Sequence, residues 1–291
     1  RVHMKNLMIP ALALFLSAAA QADDSPLWMR YCAISPDGQT IAFSYQGDIY
    51  TVPSSGGKAR QLTTHPAHDT RPVWSPDGQK IAFASNRSGN FDVFLMNKEG
   101  GEPKRLTTHS TNEYPTTFKD NGHILYLANI LQDAKDIQFP GTRFMQVYEI
   151  STDGGRPDLY SSLYMENIAL SKDGSKLLYN DYKGYEDPWR KHHQSSITRD
   201  IWLCTLGKDR SFQKVTTFGG EDRNPVWGAA DGASFYYLSE EKGSFNIFKK
   251  DLAGNNEKQI TTHTTHPVRF LTSDNSGTLC YSCLLYTSPS P

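Results

Sequence analysis

Two sets of residues in this chain have types and spacings that could support chemistry: thiols and imidazoles, and a recurring group of acids and arginines. Cys280-Tyr-Ser-Cys283 has the C-x-x-C spacing found at zinc and redox sites. No second C-x-x-C and no partnering histidine pair accompanies it. Cys32 and Cys204 fall in strand-like runs, so the four cysteines read as buried thiols rather than a disulfide framework. His65, His109 and His263 look like a ligand set, but each ends the same repeated phrase, which places them on separate structural units. His192 and His193, in a long polar segment, are the metal or acid–base candidates, against the competing reading of a solvated loop. The acids and arginines recur as Asp69-Thr-Arg71, Glu113-Tyr114 and Glu221-Asp222-Arg223, with His266 at the matching place. Such groups could hold peptide termini or backbone groups by charge-assisted hydrogen bonds; the alternative is that each acid braces a neighbouring turn. With 9 histidines and many serines, a Ser, a His and an Asp can always be picked out, and no Gly-x-Ser-x-Gly elbow is present. The sequence therefore assigns no catalytic residue, no metal and no cofactor.

The elements that must position these residues are visible as one repeated phrase. Between Arg71 and His109 it reads Arg-Pro-Val-Trp-Ser-Pro-Asp-Gly, an alternating apolar run, Asp92-Val-Phe94, Gly100-Gly101 and Arg105-Leu-Thr-Thr-His109. Ser75-Pro-Asp-Gly78 has the composition of a tight turn. The flanking runs read as four strands: Pro72 to Trp74, Lys80 to Ala84, Phe91 to Met96 and Lys104 to Thr108. The turn returns as Ser35-Pro-Asp-Gly38, Lys119-Asp-Asn-Gly122, Ser171-Lys-Asp-Gly174 and Ala230-Asp-Gly232, and degenerately at Ser273 to Gly277. The third strand returns at Asp48-Ile-Tyr50, Gln146-Val-Tyr148, Asp200-Ile-Trp202 and Asn246-Ile-Phe248. A period of roughly forty to fifty-five residues is the scale of one propeller blade.

The expected fold is all-β: a six-bladed propeller of four-stranded blades, truncated in its sixth blade. Blades are placed at about 27–65, 69–109, 113–161, 164–218, 221–263 and 266–282, the last partial, within a propeller spanning 23–282. Insertions fall around 130–144 in the third blade and 182–198 in the fourth. Side chains just before the inner strands should ring one mouth of the central channel, which makes Asp69, Arg71, Glu113, Glu221, Asp222 and Arg223 the channel-mouth candidates. A ring ending in half a blade is expected to lack the strand pairing that normally closes a propeller, and to leave an open edge.

Met4-Lys5, the apolar run Leu7 to Leu16 and Ala20-Gln21-Ala22 have the layout of a secretory signal cleaved before Asp23. Export to the periplasm is the reading, with no membrane span after cleavage. Arg1 to His3 read as translated upstream sequence, and 283–291 as an adapter-derived tail. A net charge of -1, from 30 Lys and Arg against 31 Asp and Glu, gives no basic stripe for nucleic acid.

The Ser-Pro-Asp-Gly blades with Asp-Ile-Tyr and Leu-Thr strands resemble TolB-like propellers in general. Gly184-Tyr-Glu-Asp-Pro-Trp-Arg-Lys-His-His193 followed by Thr198-Arg-Asp-Ile-Trp202 resembles, much more narrowly, the amino-terminal propeller of exported bacterial tricorn-protease-like serine peptidases. That resemblance implies a longer parent with a second propeller, a PDZ-type module and a carboxy-terminal serine peptidase region that holds the catalytic residues. It implies a non-catalytic role here, guiding or sorting peptides or unfolded polypeptide towards those downstream domains, in a possible homo-oligomer. Two other parents remain open: a free-standing TolB-like protein-binding propeller, and the propeller of a dipeptidyl-peptidase-like α/β-hydrolase.

Overall fold

The computed structural model describes residues 29–130, 144–185, 194–228, 232–254, 256–274 and 276–283. His192, His193, the apolar segment at 4–22 and the tail after 283 lie outside the described residues.

The Ser-Pro-Asp-Gly phrase closes on itself. The Ser35 hydroxyl donates to Asp37 Oδ1 at 2.6 Å, the Gln39 N–H donates to the same oxygen at 3.0 Å, and Ser35 Oγ accepts from the Thr40 N–H at 2.9 Å. The turns at Ser75 and Ser171 repeat these bonds at the same lengths. The serine hydroxyl holds the turn aspartates Asp37, Asp77 and Asp173 below the usual carboxylate range. The last residue must adopt φ of 71°, 67° and 70° at Gly38, Gly78 and Gly174, which is why glycine stands there.

Each turn joins the inner pair of an antiparallel four-stranded sheet. The first blade is β1 (Arg30–Ile34), β2 (Thr40–Tyr45), β3 (Asp48–Pro53) and β4 (Arg60–Gln61). The second is β5 (Asp69–Trp74), β6 (Lys80–Ser85), β7 (Asp92–Asn97) and β8 (Gly100–Arg105). The third is β9 (Glu113–Asp120), β10 (His123–Ala128), β11 (Gln146–Ser151) and β12 (Asp158–Ser161). The fourth is β13 (Met165–Leu170), β14 (Lys176–Asp181), β15 (Ile201–Thr205) and β16 (Ser211–Lys214). The fifth is β17 (Asp222–Trp227), β18 (Ser234–Ser239), β19 (Asn246–Asp251) and β20 (Glu257–Gln259). A two-stranded sheet, β21 (Val268–Ser273) with β22 (Leu279–Cys283), follows. The chain is thus an all-β propeller with five complete four-stranded blades among the described residues, rather than six.

The fourth strand departs from expectation: in the second blade it runs over Gly100–Arg105, not to Thr108. The Leu-Thr-Thr segment is the exit from the sheet. Thr107 Oγ1 accepts the Val93 N–H at 2.9 Å, and Thr63, Thr216 and Thr261 do the same for Ile49, Ile201 and Ile247 at 2.9 to 3.0 Å. A side-chain hydroxyl replaces a ladder carbonyl where the edge strand peels away.

Alternation divides each sheet between two neighbours. Ile124, Tyr126 and Ala128 of β10 pack with Ala82, Val93 and Leu95 of the second blade, whereas Leu125 and Leu127 pack with Leu177, Tyr179 and Cys204 of the fourth. Trp74 and Trp227 lock adjacent inner strands by donating their indole N–H to Ala33 O at 2.9 Å and Ala169 O at 3.0 Å. Phe118 occupies the corresponding interface of the third blade. Among the described residues no strand pairs the last sheet with the first blade, as expected, yet packing brings the two together. β21 and β22 pack against the fifth blade through Val268 and Leu271, and against β1 through Cys280, with Ile34 N–H donating to Thr272 Oγ1 at 3.3 Å. Six inner strands suffice to close the circle because inter-blade burial, not pairing between blades, does the joining.

Trp227 is 1% exposed. Trp227→Phe keeps most of the ring but strands the Ala169 carbonyl and should cost roughly 1–3 kcal/mol; Trp227→Ala also opens a cavity and should cost roughly 3–5 kcal/mol. Urea unfolding midpoints of the two variants measure this, and equal losses would show that the ring contributes nothing beyond its hydrogen bond.

Candidate functional site

The inner strands share one irregularity. In β1, β5, β13, β17 and β21 two residues stand opposite one on the partner strand, and β9 carries an extra residue at two places. At the first extra position the backbone is left-handed without being glycine: Tyr31 (φ 51°), Arg71 (55°), Asn167 (49°), Asn224 (56°) and Phe270 (54°). Such a residue costs about 1 kcal/mol or more, so its recurrence in five strands is part of the architecture.

The bulge turns these side chains out of their own sheets and into one another. The Tyr31 and Phe270 rings lie 4.5 Å apart. The Arg71 guanidinium stands over Tyr31 at 5.3 Å and over Tyr114, from β9, at 4.2 Å. Around the other half the contacts are amides. Asn180 Oδ1 accepts from Asn167 Nδ2 at 3.1 Å and from the Asn224 N–H at 2.7 Å, while Asn224 Nδ2 donates to Leu271 O at 2.8 Å. Tyr31, Arg71, Tyr114, Asn224 and Phe270 are half-buried and Asn167 is exposed, so the ring keeps solvent access. It has an aromatic, cationic arc and an amide arc.

One residue earlier on the inner strands, charges join the fourth, fifth and last sheets. Arg199, at the end of the long segment before β15, donates from Nε to Glu166 Oε2 at 2.8 Å and from Nη1 to Glu221 Oε1 at 3.1 Å. Arg223 Nη1 also reaches Glu221 Oε1 at 3.4 Å. The guanidinium groups of Arg223 and Arg269 lie 4.1 and 4.7 Å from the Phe245 ring centre.

The six channel-mouth candidates do not form one cluster. Arg71 reaches the ring, and Glu221 with Arg223 belongs to the charge chain. Asp222, between them, points to the other side of its strand, where the hydroxyls of Ser239 and Thr216 bond it. Asp69 and Glu113 are likewise enclosed within their blades, Asp69 paired with Arg87 at 2.8 Å. Burial pushes Asp222 up to about 7. Burial also pushes Glu113 up to about 7, with Asp92 beside it adding to the rise against hydrogen bonds from Thr107 and the His109 N–H. His65 and His109 accept the Ala67 and Thr111 N–H groups with Nδ1, each in its own turn, and His263 lies edge-on to Tyr281. The three histidines remain on separate blades. Among the described residues no group of three His, Cys, Asp or Glu side chains could hold a metal ion. Sequence reasoning missed Tyr31, Asn167, Asn224 and Phe270; their shared offset from the turn was the available signal.

The whole described fold, from before β1 to β22, matches one family model, the tricorn protease N-terminal beta propeller domain, over residues 26–286. The chain belongs to that family. It is 23% identical over 254 residues to a tricorn protease homolog of Saccharolobus solfataricus, covering 84% of this chain and 22% of that protein. In fold it is similar to the crystal structure of the tricorn protease, with a TM-score of 0.68, 20% identity, and coverage of 91% of this chain and 27% of that one. TolB from Acinetobacter baumannii superposes with a TM-score of 0.61 at 16% identity, over 84% of this chain and 57% of its own. This tricorn-type propeller therefore spans about a quarter of the tricorn proteins it matches.

The raised carboxyls set a pH dependence. Their folded pKa of about 7 lies above the usual unfolded value near 4, so the stability they contribute is complete below about pH 4 and is lost as pH rises through 7. Asp222→Asn should therefore gain on the unsubstituted protein by about 1–3 kcal/mol between pH 5 and pH 8. Urea unfolding at both pH values measures the gap, and a gap that does not widen means that Asp222 enters the fold ionised.

Proposed function

We propose that this chain is the non-catalytic front end of a tricorn-like serine peptidase, and that its axial ring guides or sorts peptides towards a peptidase region elsewhere in a longer parent chain. The observation that carries this reading is the family match over 26–286 taken with the asymmetric ring of Tyr31, Arg71, Tyr114, Asn167, Asn224 and Phe270. A guanidinium held between two phenol rings offers planar paired donors to a carboxylate terminus, the amide arc offers donors and acceptors to peptide bonds, and the aromatic arc offers faces to apolar side chains. None of these groups forms a nucleophile–base pair. The channel-mouth charges Glu221 and Arg223 would border the path, and Asp69, Glu113 and Asp222 would support it from inside the blades.

Further parts of the proposal follow from the sequence. The apolar segment at 4–22 would direct export, which places the mature protein in the periplasm, and a complete natural propeller would add outer strands to β21 and β22 to make a sixth blade. Self-association would accompany a longer parent. A second reading, a free-standing TolB-like protein-binding propeller, is favoured by the TolB likeness, which covers a larger share of that protein than of the tricorn protease. A dipeptidyl-peptidase-like parent is the third.

The purified chain should bind fluorescently labelled unstructured peptides and leave them intact. Arg71→Gln should weaken binding of peptides with a free carboxylate by about tenfold, while peptides amidated at that end lose little. Hydrolysis that a point change in the propeller abolishes would overturn the non-catalytic assignment; equal loss for both peptide types would remove Arg71 from carboxylate recognition.

A further inference from the structure

The four cysteines are all free thiols, yet they are not equivalently placed. Cys204 is buried between the third and fourth blades. Cys280 and Cys283 lie three apart on the extended strand β22, so they face opposite ways: Cys280 into the cluster shared with the first blade, Cys283 towards the fifth blade and to within 3.9 Å of His263 Nε2. The C-x-x-C spacing does not make a local pair here. Cys280 instead meets Cys32.

The juxtaposition follows from register. Cys280 is the direct cross-strand partner of Thr272 on β21. Thr272 Oγ1 accepts the N–H of Ile34 from β1 at 3.3 Å, and Cys32, two residues back on the same side of that strand, donates its S–H to Phe270 O at 3.0 Å. Cys32, Ile34, Phe43 and Cys280 form one buried cluster at this interface. It is also the interface at which the last sheet of the described residues meets the first blade, and so the joint at which the ring returns to its start.

We propose that Cys32 and Cys280 form an intramolecular disulfide that staples the sheet of β21 and β22 to the first blade and fastens the ring where its end meets its start. The bond joins elements 238 positions or more apart along the chain, as the neighbouring Cys32–Phe270 contact already does. Cys280 is the nucleophile. Its contacts with the Cys32 thiol and the Thr272 hydroxyl hold the Cys280 thiol below its ordinary value; the same contact with Cys280 and burial push Cys32 up. The oxidant is a small-molecule disulfide. Cys280 thiolate attacks one of its sulfurs and releases one thiolate; Cys32, as it loses its proton, attacks the resulting mixed disulfide at the Cys280 sulfur and releases the second. The protein loses two electrons and two protons, and the oxidant becomes two thiols.

The test treats the full chain, purified reduced, with oxidised glutathione at pH 8 and then blocks residual thiols with iodoacetamide in denaturant. Peptide mapping should recover a Cys32–Cys280 linked peptide from a protein lighter by about 2 Da, with Cys204 and Cys283 alkylated. Tm should rise by at least about 5 °C, and dithiothreitol should reverse the rise. Cys32→Ser and Cys280→Ser should each lose the linked peptide and the rise; if either fails to fold, the mapping of the unsubstituted chain decides. Alkylation of both Cys32 and Cys280 after oxidation, linkage through Cys283 or between two molecules, or a Cys32–Cys280 bond that leaves Tm unchanged would each overturn the proposal.

Discussion

A four-stranded sheet that is apolar on both faces cannot stand alone in water, and everything else in this structure follows from that constraint. Each sheet buries its faces against the sheets on either side, and the buried clusters fall between blades, not within them. The period-two alternation along β10 sends Ile124, Tyr126 and Ala128 one way and Leu125 and Leu127 the other. No blade has a private core. The chain must therefore return to its start, and it does so even where the last sheet has two strands.

Closing a circle by face-to-face packing brings the inner strands close to the axis, where a regular pleat would point side chains into neighbouring sheets. The bulges relieve this. They shift one residue per strand into the left-handed region and turn Tyr31, Arg71, Asn167, Asn224 and Phe270 towards each other. The strain is balanced by contacts that only the assembled ring provides, such as Arg71 between two tyrosines and Asn180 accepting two donors from neighbouring residues.

This explains what could be read in the sequence. The Ser-Pro-Asp-Gly turns are self-contained, with every bond inside six residues, so their composition declares them. The inner and third strands announce themselves by alternation. The exit after the fourth strand was misplaced because Leu-Thr-Thr has strand composition, while its threonine hydroxyl, not its backbone, makes the decisive bond to the third strand. The ring was nearly invisible. Tyr, Arg, Asn and Phe carry no common local signal for positive φ, and what holds them there comes from other blades. The Glu221-Asp222-Arg223 run looked like one charged group, and strand alternation divides it between a charge chain and an enclosed carboxyl.

That division also fixes the electrostatics of the axis. Asp69, Glu113 and Asp222 are drawn into the blades, two of them at the expense of a raised pKa, and Glu221 is occupied by two guanidinium groups. At the axial ring itself stand Arg71, two phenols and two carboxamides, none of them an acid. The carboxyls next to the ring are thus enclosed or paired with guanidinium groups, while the ring itself presents hydrogen-bond donors. A polypeptide passing along that axis, itself rich in carbonyl acceptors, would meet complementary groups without a charge strong enough to hold it in place.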